Sequence, residues 1–517
     1  MSSLRAAGFL LAALGTAAAA ATPEPTLEHL YPAAGQLGTT VYVKAVGEFK
    51  PWPPQVWVDA PGITFKPTPD KGKYNVEIAK DAAPGAHLVR IFNQDGASQP
   101  RFFIVSTEPE ILEKEPNDDF RSAQKIATLP ATISGRLDKE GDVDSFAVTL
   151  KKGQTLTAWV EAYVLASNFD GMLRIVDANG LQLAFNHDGR TLDPYLQWEA
   201  PRDGTFAVQL MGFAYPAKAD VHFAGGDGGV YRLHLTTAPL PRFQFPPHDP
   251  AAGPEITGQE PNDTAANAQQ IPIPCVVSGC IEIPGDEDRF AFVATKGKIY
   301  EFEIFSSRAM SPLEAWMNIE NKDGKQLAHG VDIAGSHDSQ LTWTAAGDGT
   351  FFVALGDLAH HGGPDYVYRL TCAEGRPSVE GTVADHSVIV AAGRTSEIKA
   401  TIKRANGFKP KLQLSAKNLP EGVFAADVDV PDKDGEVALK ISADAGASAV
   451  SQPLQLVLRE TGSGAEHPVI YSMTVPSEIN GVPKGYTELV INSTDILWLT
   501  VTAEPPKAET AKAEPQK

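Results

Sequence analysis

The sequence lacks the signatures of the common enzyme classes. It has no Gly-x-Ser-x-Gly elbow, no His-Glu-x-x-His helix, no phosphate-cradling Gly-x-x-x-x-Gly-Lys-Ser/Thr and no dinucleotide fingerprint. Gly462-Ser463-Gly464 lies in a hairpin-like stretch with no helix after it, which argues against a nucleophile there. Cysteine is scarce, with only Cys275, Cys280 and Cys372, and no Cys/His spacing suits zinc. Residues five apart on one strand face opposite sides, so at most one of Cys275 and Cys280 reaches Cys372. One disulfide with a thiol left over, or three unpaired buried thiols, are the two readings. Basic residues are outnumbered, 44 against 64 acidic. A net charge of −20 argues against nucleic acid and anionic membrane surfaces as partners. Beyond the first 21 residues no apolar run is long enough to span a bilayer.

Those first residues, 1–21, read as an export signal. Arg5 gives the positive start, Ala6 to Ala20 the apolar stretch, and Ala19-Ala20-Ala21 a small-residue cleavage site. No cysteine stands there to take a lipid. The mature chain is expected to be exported, to the periplasm, cell surface or exterior, with no membrane span after signal cleavage.

The 517 residues are 43% hydrophobic, enough for several packed cores. The patterning is that of strands. Runs such as Gln55 to Val58, Tyr74 to Ile78, His87 to Phe92, Phe146 to Leu150 and Thr205 to Leu210 alternate or cluster apolar residues between Gly, Pro and Asn turns. The expected fold class is all-β, four tandem antiparallel β-sandwich domains, at 27–106, 109–238, 255–374 and 376–503. A proline-rich linker occupies 239–254, and an Ala/Glu/Lys/Pro tail, 504–517, is expected to be disordered.

The two central domains are a duplication. Glu115 matches Glu260 and Asp203-Gly-Thr-Phe206 matches Asp348-Gly-Thr-Phe351, both at an offset of 145 residues. Gly135 matches Gly279 and Asp142 matches Asp286 at 144, and Tyr231-Arg-Leu233 matches Tyr368-Arg-Leu370 at 137. The change in offset places a longer loop in the first copy, 211–229. Its Phe213, Tyr215, His222 and Phe223 either form an aromatic contact patch or cover an open end of the core. His360-His361 lies in the equivalent loop of the second copy.

Each copy opens on an acidic segment: Glu113-Lys-Glu115-Pro-Asn117-Asp118-Asp119 in the first, Gln259-Glu260-Pro261-Asn262-Asp263-Thr264 in the second. Pro116 favours an extended residue before it. In an extended chain Glu113 and Glu115 point the same way, and Asn117 adds a carbonyl. A second acidic loop follows, Gly141-Asp142-Val-Asp144-Ser-Phe146, matched by Gly285-Asp286-Glu-Asp288-Arg-Phe290. A hard cation such as Ca²⁺ takes about six to eight oxygen ligands, more than one segment supplies. Gathering the two segments around such an ion would offset the repulsion of their carboxylates. The alternative is that Asp118 or Asp119 caps a helix over Phe120 to Ile126, with Thr264 doing so in the second copy, and that the Gly-Asp turns are hairpin chemistry.

The run Glu-Pro-Asn-Asp, then Gly-Asp-x-Asp-x-Phe, Asp-Gly-Thr-Phe and a closing Tyr-Arg-Leu strand resembles the bacterial pre-peptidase C-terminal domain, and is similar to the collagen-binding domains of bacterial collagenases. The resemblance covers roughly half the chain and implies two jelly-roll copies. In that family a Glu-x-Glu-x-Asn-Asp segment and downstream aspartates coordinate Ca²⁺. Carried over, the ligands are Glu113, Glu115, Asn117, Asp118, Asp142 and Asp144, with Tyr231 a further contributor. The second copy departs from the pattern, with Gly258 where the first Glu belongs. That leaves a weaker site of Glu260, Asn262, Asp263, Asp286 and Asp288. The Tyr-Pro start, the glycines 35 and 38 and the Ala83-Pro84-Gly85 turn resemble an immunoglobulin-like domain of the IPT/TIG type. Leu419-Pro-Glu-Gly-Val423 resembles a turn of immunoglobulin-like domains in bacterial surface proteins. These features imply a non-catalytic exported binding or scaffold protein, its partner an extracellular polymer or protein. An accessory to a secreted peptidase and a hydrolase of unfamiliar type are the alternatives.

Overall fold

The computed structural model describes residues 24–503 apart from 188, 190–192, 215–221, 239–240, 242, 334–335 and 476–488. The export signal, the tail and Tyr215 lie outside the described residues. The chain is all-β, built as sandwiches, and its described helical elements are single 3-10 turns. No helix among the described residues is long and apolar enough to cross a membrane.

The first sandwich pairs the sheet His29–Tyr31, Thr40–Val46, Lys73–Ile78, Ile63–Pro67 with the sheet Ala34–Gln36, Arg101–Ser106, Gly85–Phe92, Gln55–Val58. Strand Lys73–Ile78 shows why: its burial alternates strictly, Tyr74, Val76 and Ile78 inward, as a strand with one buried face demands. Trp52 packs on this core through Phe49 and Tyr74.

The two copies share one strand plan. In the first, one sheet runs Gln124–Lys125, Asp144–Leu150, Gly204–Ala214, Phe169–Val176, Gln182–Asn186, and the other Tyr195–Glu199, Thr155–Glu161, Val230–Thr236, Ala131–Arg136, Glu110–Leu112. The second repeats both orders and adds Val331–Asp332 as an edge. Pairing is antiparallel except at the entrance. Glu110–Leu112 joins Ala131–Arg136 in parallel, the chain crosses the open end of the sandwich, and Gln124–Lys125 joins Asp144–Leu150 in parallel. The second copy does the same with Glu255–Thr257 and Gln269–Gln270. This crossing corrects the expected helix at Phe120 to Ile126. Asp119 instead closes a turn, its carboxylate accepting from the Arg121 N–H at 2.8 Å, and Thr264 bonds to Asn267. The backbone gains more from a sheet ladder than from one isolated helical turn, which is costly to nucleate.

In the second copy Cys275 lies directly across from Cys372, and all three thiols are free.

The final strands, Ser378–Val383 to Leu497–Thr502, form one branched sheet system in which Val450–Glu460 pairs with three neighbours. This last segment packs on the first. Leu88 and Phe102 join its core, and Trp498, fully buried, meets Trp57 and Phe92 at ring distances of 5.7 and 5.0 Å. Arg90, also fully buried, donates to Ser98 O and Ile496 O, each at 3.0 Å. Trp57 thus belongs to a contact between the first sandwich and the last, a role its local sequence does not display.

Candidate functional site

The crossing segment carries the acidic residues over the sandwich end where strand Asp144–Leu150 begins. The Asn117 carbonyl accepts from the Ser145 N–H at 3.2 Å, which pins the segment to that strand. The Glu115–Pro116 and Glu260–Pro261 peptide bonds are both cis. Two carboxylate groups result, sharing Glu115: Glu113, Glu115 and Asp144 in one, Glu115, Asp118 and Asp142 in the other, each with ligand atoms within 4.8 Å of one another. All five acids named from the sequence converge, and Asn117 lies among them, its Nδ2 donating to Glu113 Oε1 at 3.1 Å.

Burial makes the arrangement chemically unusual. Asn117, Asp142 and Asp144 are fully buried. Part of their bonding is internal: the Asp138 N–H donates to Asp142 Oδ2 at 2.5 Å, the Arg136 N–H to Glu113 Oε2 at 2.7 Å, and Tyr231 Oη to Asp144 Oδ2 at 2.7 Å. The rest is unmet. Asn117 Oδ1 and Asp144 Oδ1 are buried acceptors with no hydrogen-bond partner, and Asp142 Oδ1 has only the Lys139 ammonium, 3.3 Å away. Leaving such a group unsatisfied costs about 1–3 kcal/mol, so two at one place, beside a cluster of carboxylates, ask for a shared positive partner.

Desolvation raises the pKa of Glu113, Glu115 and Asp142. Asp144 is pushed up to about 11, by burial first and by the facing Glu113 second. Asp118 moves the other way because Lys139 donates to it at 2.9 Å. Lys139 also stands 3.3 Å from Asp142, on a largely exposed stem, and is the one member of the site that sequence reading missed. Its signal was present in the Asp138-Lys139-Glu140 turn, but only the fold brings that turn over Asp118. Lys139 supplies counter-charge to the Asp118/Asp142 half, and among the described residues no basic side chain is ion-paired with Glu113 or Asp144.

Tyr231 reaches the site because Gly135 makes room. A Cβ at Gly135 would lie 2.2 Å from the tyrosine ring, and at Gly279 2.3 Å from Tyr368 Oη. The matched glycines are therefore seats for the matched tyrosines.

The second copy is assembled differently. Glu260, Asp263 and Asp286 come together within 4.8 Å, with exposed Ile283 where the first copy has Lys139. Asp288 is buried against Tyr368, which donates to its Oδ2, and burial raises its pKa to about 8. With Gly258 in place of a glutamate, no group equivalent to Glu113, Glu115 and Asp144 forms among the described residues.

The aromatic residues of the long loop are partly accounted for. Phe213 and Phe223 pack at 5.5 Å with Phe213 still 42% exposed, so these two rings cap each other at the surface rather than sealing the core. His361 and His360 gather no metal-ligating group among the described residues.

No protein-family model matches the chain. It is 33% identical over 98 residues to a probable subtilase-type serine protease of Deinococcus radiodurans, a match spanning 19% of this chain and 14% of that protein. Among solved structures, the pre-peptidase C-terminal domain of a Bacillus anthracis collagenase is 14% identical, covering 22% of this chain and 99% of that one, with a TM-score of 0.18. The fibronectin(III)-like modules of Clostridium thermocellum CbhA are 10% identical over 47% of this chain and 93% of theirs, with a TM-score of 0.15.

Proposed function

We propose that this chain is a non-catalytic exported binding or scaffold protein. Its β-sandwiches present surfaces to an extracellular polymer, a cell envelope or a partner protein, and calcium is held at the entrance of the first pre-peptidase-like copy. The observation that carries the calcium reading is the pair of buried, unpartnered oxygens of Asn117 and Asp144 beside the carboxylates of Glu113, Glu115 and Asp142. The donor set is all oxygen, mostly carboxylate, as hard divalent cations require. Glu113, Glu115, Asn117, Asp118, Asp142 and Asp144 would hold the ion, with Lys139 swinging out to solvent. Bound there, calcium would supply the charge that lets those carboxylates ionise together, and would fasten the crossing segment to strand Asp144–Leu150. The second copy, through Glu260, Asp263 and Asp286, is a weaker site of the same kind.

Titration calorimetry of the full chain with Ca²⁺ tests this, with Glu115→Ala as control. One tight site lost in the variant supports the reading, and no heat of binding, or unchanged affinity in the variant, sinks it. Pull-downs against collagen-like, polysaccharide and cell-wall materials then identify the class of partner.

A second reading, an accessory to a secreted peptidase, is favoured by the 98-residue match to a protein described as a probable subtilase-type protease. It predicts that the chain alters the turnover or substrate retention of a separate peptidase while cleaving nothing itself.

A further inference from the structure

The two copies differ at one matched pair in the core. In the first, Ala131 lies directly across from Leu235; in the second, Cys275 lies directly across from Cys372. The offsets, 144 and 137, are those of the duplication itself. An apolar pair in one copy has thus become a pair of thiols in the other.

The geometry of that pair is suited to a bond. Residues directly opposite on antiparallel strands turn their side chains to the same face. Both cysteines are fully buried in the core of the second copy, in one cluster with Val277 and Leu370. An opposed pair has its Cα atoms about 4.5–5.5 Å apart, inside the span of about 4.4–6.8 Å that a disulfide bridges. In the structure both are thiols. They already interact: a hydrogen bond with Cys372 holds the Cys275 thiol below its usual pKa, while burial pushes the Cys372 thiol up. Cys280 stands apart. It pairs with Val367, five residues along the strand and about 17 Å from Cys275, and its Sγ donates to Gly363 O at 3.2 Å.

We propose that Cys275 and Cys372 close a disulfide that stabilises the second copy, with Cys280 left as the free thiol. The oxidant is an external disulfide, such as oxidised glutathione or the active disulfide of an exchange enzyme. The Cys275 thiolate attacks one of its sulfurs, forms a mixed disulfide and expels the other sulfur as a thiolate. Cys372, losing its proton, then attacks the Cys275 sulfur and releases the second thiol. The two cysteines together give up two protons and two electrons, and the external disulfide leaves as two thiols. Since both sulfurs are fully buried in the finished core, exchange takes place before the sandwich closes, and the bond is then shielded from reductants.

The bond would join the strand on which the copy opens, Cys275–Cys280, to the strand on which it closes, Val367–Glu374. Nearly the whole copy, about 100 residues, lies in the loop between, and a cross-link restricts the unfolded chain more as its loop lengthens. The first copy has the carboxylate group of Glu113, Glu115 and Asp144 at its entrance and no cysteine. The second has the cysteines and, among the described residues, no such group. The bond itself is independent of calcium.

The full chain is refolded from guanidinium in a mixture of reduced and oxidised glutathione, and its thiols are then counted with a chromogenic disulfide reagent in guanidinium without reductant. One thiol is expected in wild type and none in Cys280→Ser, with a digest showing the Cys275 and Cys372 peptides joined. Oxidised wild type should melt about 5–15 °C above the reduced protein in one transition. The double variant Cys275→Ala, Cys372→Leu carries the pair found in the first copy. It should fold, as read by circular dichroism, and melt at the same temperature in both buffers. The proposal is overturned by three thiols in refolded wild type, by a bond that includes Cys280, or by equal melting of the oxidised and reduced wild-type forms.

Discussion

Asp144→Asn separates metal ligation from ordinary packing. Near neutral pH and without metal, the Asp144 carboxyl is protonated, since burial and Glu113 hold its pKa at about 11. Asparagine has the same shape, accepts the same bond from Tyr231 and can donate toward Glu113. At acid pH, where Asp144 is protonated both folded and unfolded, the metal-free protein should therefore change by no more than about 1 kcal/mol, and at neutral pH the variant should be no less stable than wild type. With calcium the substitution removes a charged ligand, and affinity should fall about 100-fold, the upper range for perturbing a metal site through its supporting groups. At a calcium concentration near 100 times the wild-type Kd, binding stabilises the native state by about 2.7 kcal/mol. A 100-fold weaker site at the same concentration retains roughly 0.4 kcal/mol. The difference, about 2.3 kcal/mol, corresponds to roughly 5–9 °C in Tm. Differential scanning calorimetry in EDTA and in calcium reads both quantities. The reasoning is refuted if the variant binds calcium within about twofold of wild type, or if it loses more than about 2 kcal/mol in EDTA.

Three further outcomes are expected. Because the folded-state pKa of Asp144 is raised above its unfolded value, its contribution is fully present below about pH 4 and is lost as pH rises toward 11. In EDTA the stability of wild type relative to Asp144→Asn should thus fall between pH 5 and 9, by up to about 1.4 kcal/mol per pH unit, while apparent calcium affinity rises; a flat difference contradicts the assignment. Gly135→Ala should destabilise by about 1–3 kcal/mol and loosen the Tyr231 bond to Asp144, visible as weakened calcium binding in titration calorimetry. Arg90→Ala should cost about 3 kcal/mol and let the terminal segments melt apart from the two central copies, seen as a split transition in calorimetry. A single unshifted transition would mean that the terminal contact contributes little.

Much of the fold was legible because strand patterning is a local property. Strand Gln55–Val58 appears where its residues place it, and others, such as Gly204–Ala214, differ only in extending past the apolar run that marks them. The helix expected after Asp119 was misplaced because capping chemistry and turn chemistry use the same residues. What chose between them was a sheet edge contributed by Asp144–Leu150, which no local window contains. The acids of the site were legible for a similar reason to the strands: spacing along an extended segment and a recurring Asp-x-Asp are visible in one dimension. Their partners were not. Lys139 and the Arg136 N–H enter through folding of the chain across the sandwich end.

The sequence by itself determined the all-β class, the duplication and the residue types that meet at each entrance, since hydrophobic period and repeat register are encoded residue by residue. Only the tertiary structure decided which oxygens are left without partners and that the first and last sandwiches pack around Arg90 and Trp498. Those outcomes depend on burial and on contacts between residues far apart in the chain, and desolvation, which sets their energies, exists only once the chain has closed around them.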